Sequence, residues 1–563
     1  MSANQAKPRA PAAPIAFASE REMPPMAVSL GTTLVNKTGS WRYLRPIYAE
    51  KKPPCNHGCP AGNDIQGFIA LILKGRLAEA RELLCETNPF PSITGRVCHH
   101  PCELECNRRE FDEPLSIRAL ERLAGDEGDK MGLRPPEEKF EERIAIVGSG
   151  PAGLACAYFL ARRGYRVTIF EAEREPGGML RWGIPEYRLP KAVLDRELAL
   201  LRDLGIEFRT GVMVGQDIRL EELDADATFL AVGATAGVEL ELPGLEAAGI
   251  LHGLEFLKRV NFGERVELGE HVAVIGGGNT AMDAARVALR LGVKPQVVYR
   301  RTRAEMPAIP EEVEAALEEG IEFLFLAAPI EILTADGRLK GARFTKMELG
   351  PPDGSGRRRP IPLPGSEFEL ELDNLILAVG ERPDLSLLPQ GVKLKEGRVN
   401  DPALVKTLKA SIFAGGDAAT GAGTVVEAIA SGRRGAEAIH RFLRGLPEPE
   451  EEEPVLVPFE RINLDYFKPR PRLQGRTLAV PQRVANFSEV ELGFTTEQGI
   501  LEAERCFSCG VCNQCDNCIT YCPDVAISRH DDEYEVDYDY CKGCGICAEE
   551  CPRWVIDLIE EEK

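Results

Sequence analysis

Cysteines are the residues of this chain whose number and spacing point most directly to chemistry. Of the 17 cysteines in 563 residues, ten lie between Cys506 and Cys551. Clusters of this kind in a large chain indicate metal ligation rather than disulfide bonds. Cys85 and Cys156 stand apart on apolar helical segments, and we expect both to pack in the core. The remaining five form an amino-terminal group, namely Cys55, Cys59, Cys98, Cys102 and Cys106.

Two runs near the carboxyl terminus have the spacing of a bacterial two-cluster ferredoxin. Each reads C-x2-C-x2-C-x3-C-P, from Cys512 to Cys522 and from Cys541 to Cys551. The fourth cysteine of each run binds the other cluster, so the pattern predicts two 4Fe–4S clusters. Zinc would not need a third and a fourth cysteine at these intervals. The predicted ligand sets are Cys512, Cys515, Cys518 and Cys551 for one cluster, and Cys541, Cys544, Cys547 and Cys522 for the other.

A glycine-rich turn after an apolar strand predicts a first dinucleotide site. Gly148 allows the tight turn, Gly150 lets the backbone approach a pyrophosphate, and Gly153 allows the helix to pack closely on the strand. The phosphate of such a site lies at the helix N-terminus. Glu171 ends the next strand, at the position of an acid that binds a ribose hydroxyl. The alternative is a plain glycine-rich turn.

A second unit of the same kind carries Gly276, Gly278 and Ala281. Its next strand ends in Arg300 and Arg301 instead of an acid. Guanidinium groups at this position suit a 2′-phosphate, so the unit favours NADPH over NADH. The alternative is a solvated basic face. Further candidates at this site follow the turn directly, and they are Asn279 and Thr280.

Other apolar strands indicate how the two nucleotide sites are connected. Stretches 228–235 and 374–380 each end in a glycine turn and have the character of crossings between an FAD domain and an inserted NADPH domain. A third strand, in 412–418, ends in Asp417 before a helix that starts near Thr424. In FAD oxidoreductases that this arrangement resembles, such an aspartate bonds the ribityl chain. The alternative is that Asp417 only begins a helix.

Composition excludes several broad classes of protein. A hydrophobic fraction of 44%, 54 glycines and a mean hydropathy of −0.18 exclude global disorder and a polytopic membrane protein. The net charge of −21 argues against nucleic-acid binding. We find neither a secretory signal nor an apolar stretch long enough to span a bilayer, so we expect no membrane insertion and a reducing cytoplasm.

These elements predict an α/β protein with two Rossmann-like dinucleotide-binding domains for FAD and NADPH. A helical iron–sulfur domain precedes them, and a bacterial ferredoxin-like α+β domain follows them. The predicted segments are an N-terminal extension (1–50), the helical iron–sulfur domain (51–138), the first part of the FAD domain (139–255), the NADPH domain (256–374), the second part of the FAD domain (375–445), a linker containing a run of glutamates (446–500), and a CxxC motif with the ferredoxin domain (501–563).

Longer stretches of the chain resemble one family of flavin and iron–sulfur enzymes. They are 59–65, 94–98, 176–190, 276–283, 299–307 and 414–427. From residue 55 to about 438 the chain is similar to the small (beta) subunit of NADPH-dependent glutamate synthase. The same module recurs in the amino-terminal half of dihydropyrimidine dehydrogenase and in NADH-dependent reduced ferredoxin:NADP oxidoreductase. The resemblance implies that the loop 177–191 lines the flavin, and it adds to the FAD site Gly178, Met179, Arg188, Asp417 and Thr424.

The resemblance also implies two 4Fe–4S clusters in the helical domain. One would be bound by Cys59, Cys98 and Cys102, with Glu121 as the fourth ligand to within one residue. The alternative for Glu121 is an exposed acid on a helix.

The other family cluster uses cysteines like Cys55 and Cys106 with a CxxC pair upstream. No cysteine precedes Cys55 here, but Cys506 and Cys509 lie in a string similar to the missing one. Our hypothesis is that they complete this cluster, from the same chain or from a partner chain. The alternative is that the chain has no such cluster.

A flavin couples hydride transfer to one-electron chemistry, so it belongs between NADPH and the clusters. The predicted path runs from NADPH to FAD, to the Cys59 cluster, to the Cys55 cluster and to the ferredoxin-like domain, and the flow could also be reversed. No side chain need act as an acid or a base. From residue 531 to 563 there are 12 acidic and 3 basic residues, which would steer a basic partner, or which only solubilise the surface.

The predicted function is an NADPH:acceptor oxidoreductase with about four 4Fe–4S clusters. It would be the electron-exchange subunit of a hetero-oligomer, such as a 2-oxoacid:ferredoxin oxidoreductase or another reductase, or a partner of ferredoxin itself. One alternative is a glutamate synthase small subunit that supplies a separate large subunit. A disulfide reductase would need a CxxC in the NADPH domain, and 272–373 has no cysteine. Both intact glycine motifs argue against a non-catalytic subunit.

Overall fold

A computed structural model describes residues 35–561, together with Ser19 and Glu22. It leaves out 129–135, 137, 239, 241, 355, 385, 388–393, 396–397, 400–411 and 448–452. Most of the predicted N-terminal extension and part of the glutamate run therefore lie outside the described residues. The chain forms two compact units. One consists of Pro53–Leu456 and Pro469–Phe507, and the other consists of Met1–Lys52, Val457–Lys468 and Ser508–Lys563.

The larger unit contains a five-stranded parallel sheet that carries the first glycine turn. Its central strand, Arg143–Val147, has four consecutive buried residues, as expected where helices cover both faces of a sheet. The helix Pro151–Arg162 begins with proline and packs against Val425–Arg444. The order of the strands is Ile412–Ala414, Ala227–Leu230, Arg143–Val147, Arg166–Glu171 and Glu207–Thr210.

A second five-stranded parallel sheet carries the second glycine turn. The chain enters it after Ala227–Leu230 and leaves it after Asn374–Leu377. Beyond these strands, Ala236–Gly237 and Glu381–Arg382 pair with each other, so the two connections run side by side. The order of this sheet is Glu322–Phe325, Lys294–Tyr299, His271–Ile275, Asn374–Leu377 and Ile250–His252.

An antiparallel sheet is inserted after the strand Glu322–Phe325 of this second layer. Its long strand, Arg338–Pro352, turns back into Arg358–Pro362 and forms a hairpin. The two other strands of this sheet, Ala327–Ala335 and Phe368–Glu371, also pair with the long strand. Ala342 and Phe344 pack beneath it in one core with Ala273 and Leu375. The hairpin is therefore fixed to the second parallel sheet.

Short helices form the amino-terminal part of the larger unit, and Ile65, Phe68 and Leu84 lie in their core. These helices are Pro54–Gly58, Ile65–Leu73, Leu77–Cys85, Pro91–Val97, Pro101–Leu104 and Ile117–Glu127.

The segment Pro469–Phe507 is built into this helical part. Its helix Thr496–Ala503 packs on Ile65–Leu73 and Ile117–Glu127. Glu502 is fully buried, and it accepts hydrogen bonds from the backbone N–H groups of Ser116 and Leu473, both at 3.0 Å. The predicted linker 446–500 thus includes residues that help to form the helical core. The predicted domain limits stay predictions.

The smaller unit contains the ferredoxin-like cysteine runs. Ile527–His530 and Glu533–Val536 form one hairpin, and Leu44–Tyr48 pairs antiparallel with Ile556–Glu560. Cys518 and Cys547 lie in the core of this unit, on the short helices Asn517–Thr520 and Ile546–Glu549.

The remaining elements complete the chain. The helices are Met179–Trp182, Lys191–Asp203, Gly253–Asn261, Asn279–Arg290, Pro310–Glu318, Asp417–Thr420 and Val480–Ala485, with 3-10 turns at Thr38–Trp41, Asn107–Glu110, Leu220–Glu222, Arg303–Glu305, Phe459–Arg461 and Leu464–Tyr466. Two further pairs of short strands are antiparallel. In one, Leu394–Lys395 pairs with Arg398–Val399, and in the other, Arg476–Thr477 pairs with Glu491–Gly493. None of the helices in the described ranges has the length and apolar character needed to cross a membrane.

Candidate functional site

Both glycine turns open into one cavity of the larger unit. The cavity has a volume of about 1310 Å³. Gly148 and Gly150 line one part of it, and Gly276 and Gly278 line another. A pair of dinucleotides that must exchange a hydride needs one shared space of this kind. The two predicted sites therefore belong to a single continuous cavity.

The first turn has the backbone geometry of a pyrophosphate cradle. Gly148 has φ of +100°, and a side chain there would collide with the carbonyl of Ala231. A Cβ on Gly153 would meet the carbonyl of Gly148, which explains the need for glycine where the helix packs on the turn. At Gly150 a Cβ would meet nothing within 4 Å, so this residue borders open space at the N-terminus of Pro151–Arg162. The turn fits a dinucleotide phosphate.

Glu171 is oriented by the glycine turn itself. Its buried carboxylate accepts hydrogen bonds from the N–H of Ser149 at 2.9 Å and from the Ser149 hydroxyl. The N–H of Glu173 donates to the other carboxylate oxygen at 2.9 Å. Glu171 also lines the cavity, as a residue that binds a ribose hydroxyl must. Ser149 was missed by the sequence reasoning, although it lies between the first two glycines of the motif.

The loop that follows Glu171 closes over the first turn. Gly178 has φ of +53°, and a Cβ on it would lie 2.7 Å from the Cα of Gly150. Gly178, Met179 and Arg188 all line the cavity. Arg188 is held by ion pairs to Asp283 at 2.8 Å and to Glu312 at 2.9 Å. Arg188 therefore ties this loop to the helices of the second nucleotide layer.

Asp417 lines the same cavity as the first glycine turn. It begins the helix Asp417–Thr420 and accepts a hydrogen bond from the N–H of Gly423 at 3.1 Å. Burial raises the pKa of this carboxyl to about 6. Thr424 lines the same cavity and caps Val425–Arg444 through a reciprocal pair of hydrogen bonds with Glu427. Asp417 is half-buried, and no cation of the described residues forms an ion pair with it, which is typical of a binding site rather than of a stabilising contact.

Replacing Asp417 with asparagine is expected to stabilise the FAD-free protein and to weaken FAD binding. Because burial raises the pKa of Asp417 from its ordinary value of 3.8 to about 6, the folded protein binds this proton more tightly than the unfolded chain does at pH values between the two. Stability therefore falls as the pH rises through this window, and the charged form carries the penalty at pH 7. D417N removes that penalty, a gain of about 1–3 kcal/mol. Loss of a charge-assisted hydrogen bond should weaken FAD binding about tenfold or more.

Thermal unfolding of FAD-free D417N and of the unchanged protein between pH 5 and pH 8 tests the first effect. The difference in stability should shrink as the pH falls below about 6, where Asp417 is protonated in the folded state. Titration with FAD tests the second effect. Equal FAD affinity in the two proteins would contradict the assignment of Asp417.

The second glycine turn repeats the geometry of the first. A Cβ on Gly276 would collide with the carbonyl of Ala378, and Ala281 is completely buried beneath the turn. Gly278 immediately precedes the helix Asn279–Arg290. The side chain of Asn279 accepts a hydrogen bond from the N–H of Ile309 at 2.9 Å. The turn is therefore fixed from outside the motif, and it leaves the helix N-terminus facing the cavity.

Thr280 connects this turn to a carboxyl group that sequence reasoning missed. Its hydroxyl donates to Glu381 at 3.0 Å, and burial raises the pKa of Glu381. Glu381 lines the cavity directly after Gly380, where the chain returns to the first nucleotide layer. The glycine turn at the end of the strand Asn374–Leu377 was the available signal for this residue.

The two predicted phosphate-binding arginines have different environments. Arg300 is exposed and lines the cavity. Arg301 is buried, and it donates to the carbonyl of Arg358 at 2.7 Å and to Asp353 at 2.6 Å. Arg301 thus clamps the inserted hairpin onto the second sheet. The same hairpin places Arg357 on the cavity wall, and the basic run 357–359 was the signal for it.

Three cysteines and a glutamate meet in the core of the helical part. Cys59, Cys98, Cys102 and Glu121 are all buried. Burial, and next the charge of Glu121, raise the pKa of the Cys98 thiol to about 12. Burial, and then the charge of Cys59, raise the pKa of Cys102 well above its ordinary value. These four side chains are therefore close neighbours, as the ligands of one cluster must be.

Glu121 lies in the core and not on an exposed helix face. Burial raises its pKa to about 7. One carboxylate oxygen accepts hydrogen bonds from Asn88 at 2.8 Å and from Thr94. The other oxygen receives no hydrogen bond from the described residues. A buried carboxylate without a direct cationic partner is costly unless a metal binds it, so the donor set fits an iron–sulfur cluster.

The three-cysteine site adjoins the nucleotide cavity. Val97 and His99, which flank Cys98, line the same cavity as Gly148 and Glu171. Nδ1 of His99 is buried, and no group in the described part of the chain hydrogen-bonds to it. An orphaned polar atom on the wall of a cavity fits a polar cofactor. Sequence reasoning missed His99, although it directly follows a predicted ligand.

Three of the four predicted ligands of the second cluster lie in the larger unit. Cys55, Cys106 and Cys506 border the same core as the three-cysteine site. Burial raises the pKa of Cys106 to about 11, and the nearby Cys506 thiol contributes to the same direction. Arg108 donates to the carbonyl of Arg505 at 2.8 Å and so holds the segment that carries Cys506. Cys509 belongs to the smaller unit, and its role stays a prediction.

The cysteines of the smaller unit fall into two groups. Burial raises the pKa of Cys512, and the charges of Cys515 and Cys551 contribute in the same direction. Burial raises the pKa of Cys547 to about 12, with contributions from Cys541, Cys544 and Cys522. Each run thus places its last cysteine with the other run, as in a two-cluster ferredoxin. Within the described ranges, no three His, Cys, Asp or Glu side chains are grouped around a single metal ion.

Comparison with known families identifies the central part of the chain. The family model for pyridine nucleotide-disulphide oxidoreductases matches residues 142–432, more than half of the chain. The chain belongs to this family. A model for the 4Fe-4S cluster of dihydropyrimidine dehydrogenase domain II matches 46–133, and a 4Fe-4S binding domain matches 534–553. This oxidoreductase therefore carries iron–sulfur domains on both sides of the nucleotide-binding part.

Three curated relatives extend the similarity over most of the chain. The NADP(+)-dependent formate dehydrogenase subunit beta of Moorella thermoacetica is 40% identical over 81% of this chain and 70% of its own length. The NADPH-Fe(3+) oxidoreductase subunit beta of Geobacter sulfurreducens is 40% identical over 81% and 75%. The glutamate synthase [NADPH] small chain of Halomonas elongata is 36% identical over 69% and 88%.

These findings confirm the predicted resemblance, the α/β fold class and the enzyme class. This protein is an FAD-dependent NADPH oxidoreductase with 4Fe–4S clusters. The assignment of individual residues to each cofactor remains a proposal.

Proposed function

We propose that this oxidoreductase passes electrons between NADP(H) and a protein partner, as the electron-exchange subunit of a larger complex. The observation that carries the proposal is the shared cavity. Both glycine turns line it, and so do the two residues that flank Cys98. When FAD is bound, it accepts a hydride and releases electrons singly, which is the chemistry needed between NADPH and iron–sulfur clusters. The protein itself then supplies placement rather than an acid or a base.

The chain's residues would hold the two nucleotides at opposite ends of the cavity. For FAD these are the first turn with Glu171, the loop of Gly178 and Met179, and the Asp417–Thr424 segment. For NADPH they are the second turn and Arg300, assisted by Arg357. Arg301 serves here as the clamp of the hairpin, since its guanidinium already bonds Asp353 and the carbonyl of Arg358.

We further propose four clusters. Two use the ferredoxin-like ligand sets, and one uses Cys59, Cys98, Cys102 and Glu121. The fourth uses Cys55, Cys106 and Cys506, with Cys509 as the last ligand because it follows Cys506 in a CxxC spacing.

Iron content tests the fourth cluster. The purified protein should contain about 16 irons per FAD, and Cys506→Ser should contain about 12, because a cluster that loses a thiolate ligand is lost. Cys156→Ser is the matched control, since Cys156 is completely buried in the core of the first nucleotide layer. About 12 irons in the unchanged protein would contradict the four-cluster assignment, as would a full 16 in Cys506→Ser.

The partner is proposed from the relatives and from charge. Two relatives are beta subunits, one of a formate dehydrogenase and one of an Fe(3+) oxidoreductase, and we infer a partner subunit for this chain in a cytoplasmic complex. The acidic stretch 531–563 would attract a partner with a basic docking face. A glutamate synthase small chain is the second candidate, because one relative carries that name.

NADPH-dependent reduction of a dye by the isolated chain tests the catalytic function. Activity is expected with FAD and clusters loaded, whereas a subunit that only conducts electrons would show none. Identification of the chains that co-purify with the native protein separates the candidates. A glutaminase-bearing large chain would favour glutamate synthase, and a dehydrogenase or reductase chain would favour the main proposal.

A further inference from the structure

One arginine approaches the three-cysteine site from the nucleotide-binding part of the chain. Arg433 lies on the helix Val425–Arg444, whose N-terminus borders the cavity at Thr424 and Val425. A Cβ placed on Gly62 would lie 3.2 Å from a terminal nitrogen of its guanidinium. Gly62 belongs to the loop that wraps the sulfur of Cys59. The helix that begins at the proposed flavin site therefore carries a cation, about two and a half turns further on, that lies beside the loop of Cys59.

The loop around Cys59 already favours negative charge on the sulfur. Backbone N–H groups of Ala61, Gly62 and Asn63 donate to the Cys59 thiol and lower its pKa, against the larger effect of burial, which raises it. Arg433 adds a full positive charge on the outer side of the same loop. Burial, and next the charge of Arg434, lower the pKa of Arg433, whereas the charge of Cys59 acts in the opposite direction.

Arg433 differs from the other charged groups near this site because no carboxylate is bonded to it within the described ranges. Arg118, which lies near Glu121, is paired with Glu491 at 3.0 Å. The buried Glu103 is paired with Arg472. Glu437, one turn beyond Arg433 on its helix, pairs with Arg441 at 2.7 Å and with Arg163. Arg433 is therefore a half-buried cation on which the charge of Cys59 acts more strongly than that of Glu437.

We propose that Arg433 tunes the reduction potential of the cluster held by Cys59, Cys98, Cys102 and Glu121, raising it so that this cluster accepts electrons arriving from the flavin side. Four anionic ligands make such a cluster negative, and reduction adds one more negative charge. A nearby cation stabilises the reduced form more than the oxidised form, and strongly so where water is excluded. The cluster gains one electron that originates from NADPH and would reach it through the flavin, and no covalent bond forms or breaks at the cluster in this step. The inference rests on the proposed ligand set.

The test is an EPR-monitored redox titration of the purified holoenzyme and its variants. Arg433→Gln should lower the midpoint potential of this cluster by about 59 mV, a tenfold loss in its equilibrium affinity for one electron. Arg433→Lys keeps the charge and should retain most of the potential. Arg434→Gln is the matched control, because Arg434 is the adjacent exposed arginine of the same helix. It should leave the potential unchanged.

An unchanged potential in Arg433→Gln would overturn the proposal, and so would an equal shift in Arg434→Gln, which would show a general effect of net charge. Arg433→Met provides a second neutral variant in case the glutamine variant does not assemble. Iron and FAD content are measured on the same samples. Absence of this cluster from the unchanged protein would refute the ligand set as well, whereas an unchanged potential in a loaded cluster refutes only the role of Arg433.

Discussion

Replacing Cys98 with serine is expected to abolish NADPH-driven reduction of the ferredoxin-like clusters while NADPH still reduces the flavin. Cys98 adjoins the nucleotide cavity, since both of its neighbours in the chain line that cavity. Soft thiolates are the preferred ligands of iron–sulfur clusters, and a serine oxygen is a poor substitute. Loss of this cluster removes the first electron acceptor beside the flavin. The glycine turns and their cavity do not depend on the cluster, so hydride transfer should continue.

Stopped-flow absorbance of the flavin, followed by EPR of rapidly frozen samples, separates the two steps. In Cys98→Ser the flavin should bleach at close to the normal rate, and the cluster signals of the smaller unit should fall to background. Cys85→Ser is the control, because Cys85 is also a buried thiol but lies outside every predicted ligand set. Normal reduction of the ferredoxin-like clusters in Cys98→Ser would contradict the path.

Replacing Arg300 with glutamine is expected to lower kcat/KM for NADPH about 10- to 150-fold, because one charge-assisted hydrogen bond contributes about 1.5–3 kcal/mol. Arg300 is an exposed arginine on the cavity wall after the second nucleotide-binding strand. A 2′-phosphate is the only group by which NADPH differs from NADH. The value of kcat/KM for NADH should therefore change little, and the preference between the two nucleotides should collapse.

Steady-state dye reduction with both nucleotides measures this preference. Arg303→Gln is the matched control, since Arg303 is an exposed arginine of the same loop that pairs with Glu314. Arg357→Gln should show a smaller loss of the same kind, because Arg357 reaches the cavity from the hairpin. Equal losses for NADPH and NADH in Arg300→Gln would mean that Arg300 does not recognise the 2′-phosphate.

The features predicted well from sequence are those encoded by local spacing. The glycine turns, the strand that ends in Glu171 and the ferredoxin runs each fit within a short stretch whose geometry follows from residue type. Burial of Cys85 and Cys156 follows equally from their apolar helical surroundings. The structure of such motifs can be predicted from sequence because it depends little on contacts with distant residues.

The features that sequence could not give depend on residues far apart in the chain. Arg300 and Arg301 are adjacent and chemically identical, and only the hairpin contacts of Arg301 show which of them is engaged. The hydrogen bonds of Thr94 and Asn88 to Glu121 join the helix Ile117–Glu127 to the helix Pro91–Val97 and to the loop before it. Glu502 follows a polar, proline-rich stretch that is typical of a linker. Its carboxylate is nevertheless buried, and it accepts a hydrogen bond from the N–H of Ser116 inside the helical part. Tertiary packing decides each of these cases.

Anaerobic addition of NADPH to the purified holoenzyme directly tests the proposed path of electrons from NADPH through the flavin to the clusters. Flavin absorbance and cluster EPR are recorded together, and dithionite then gives the total reducible iron–sulfur content. We expect NADPH to bleach the flavin, and EPR signals of reduced 4Fe–4S clusters to appear without any added mediator. Bleached flavin with clusters that stay oxidised until dithionite is added would contradict this path, as would a fully bound flavin that NADPH does not bleach.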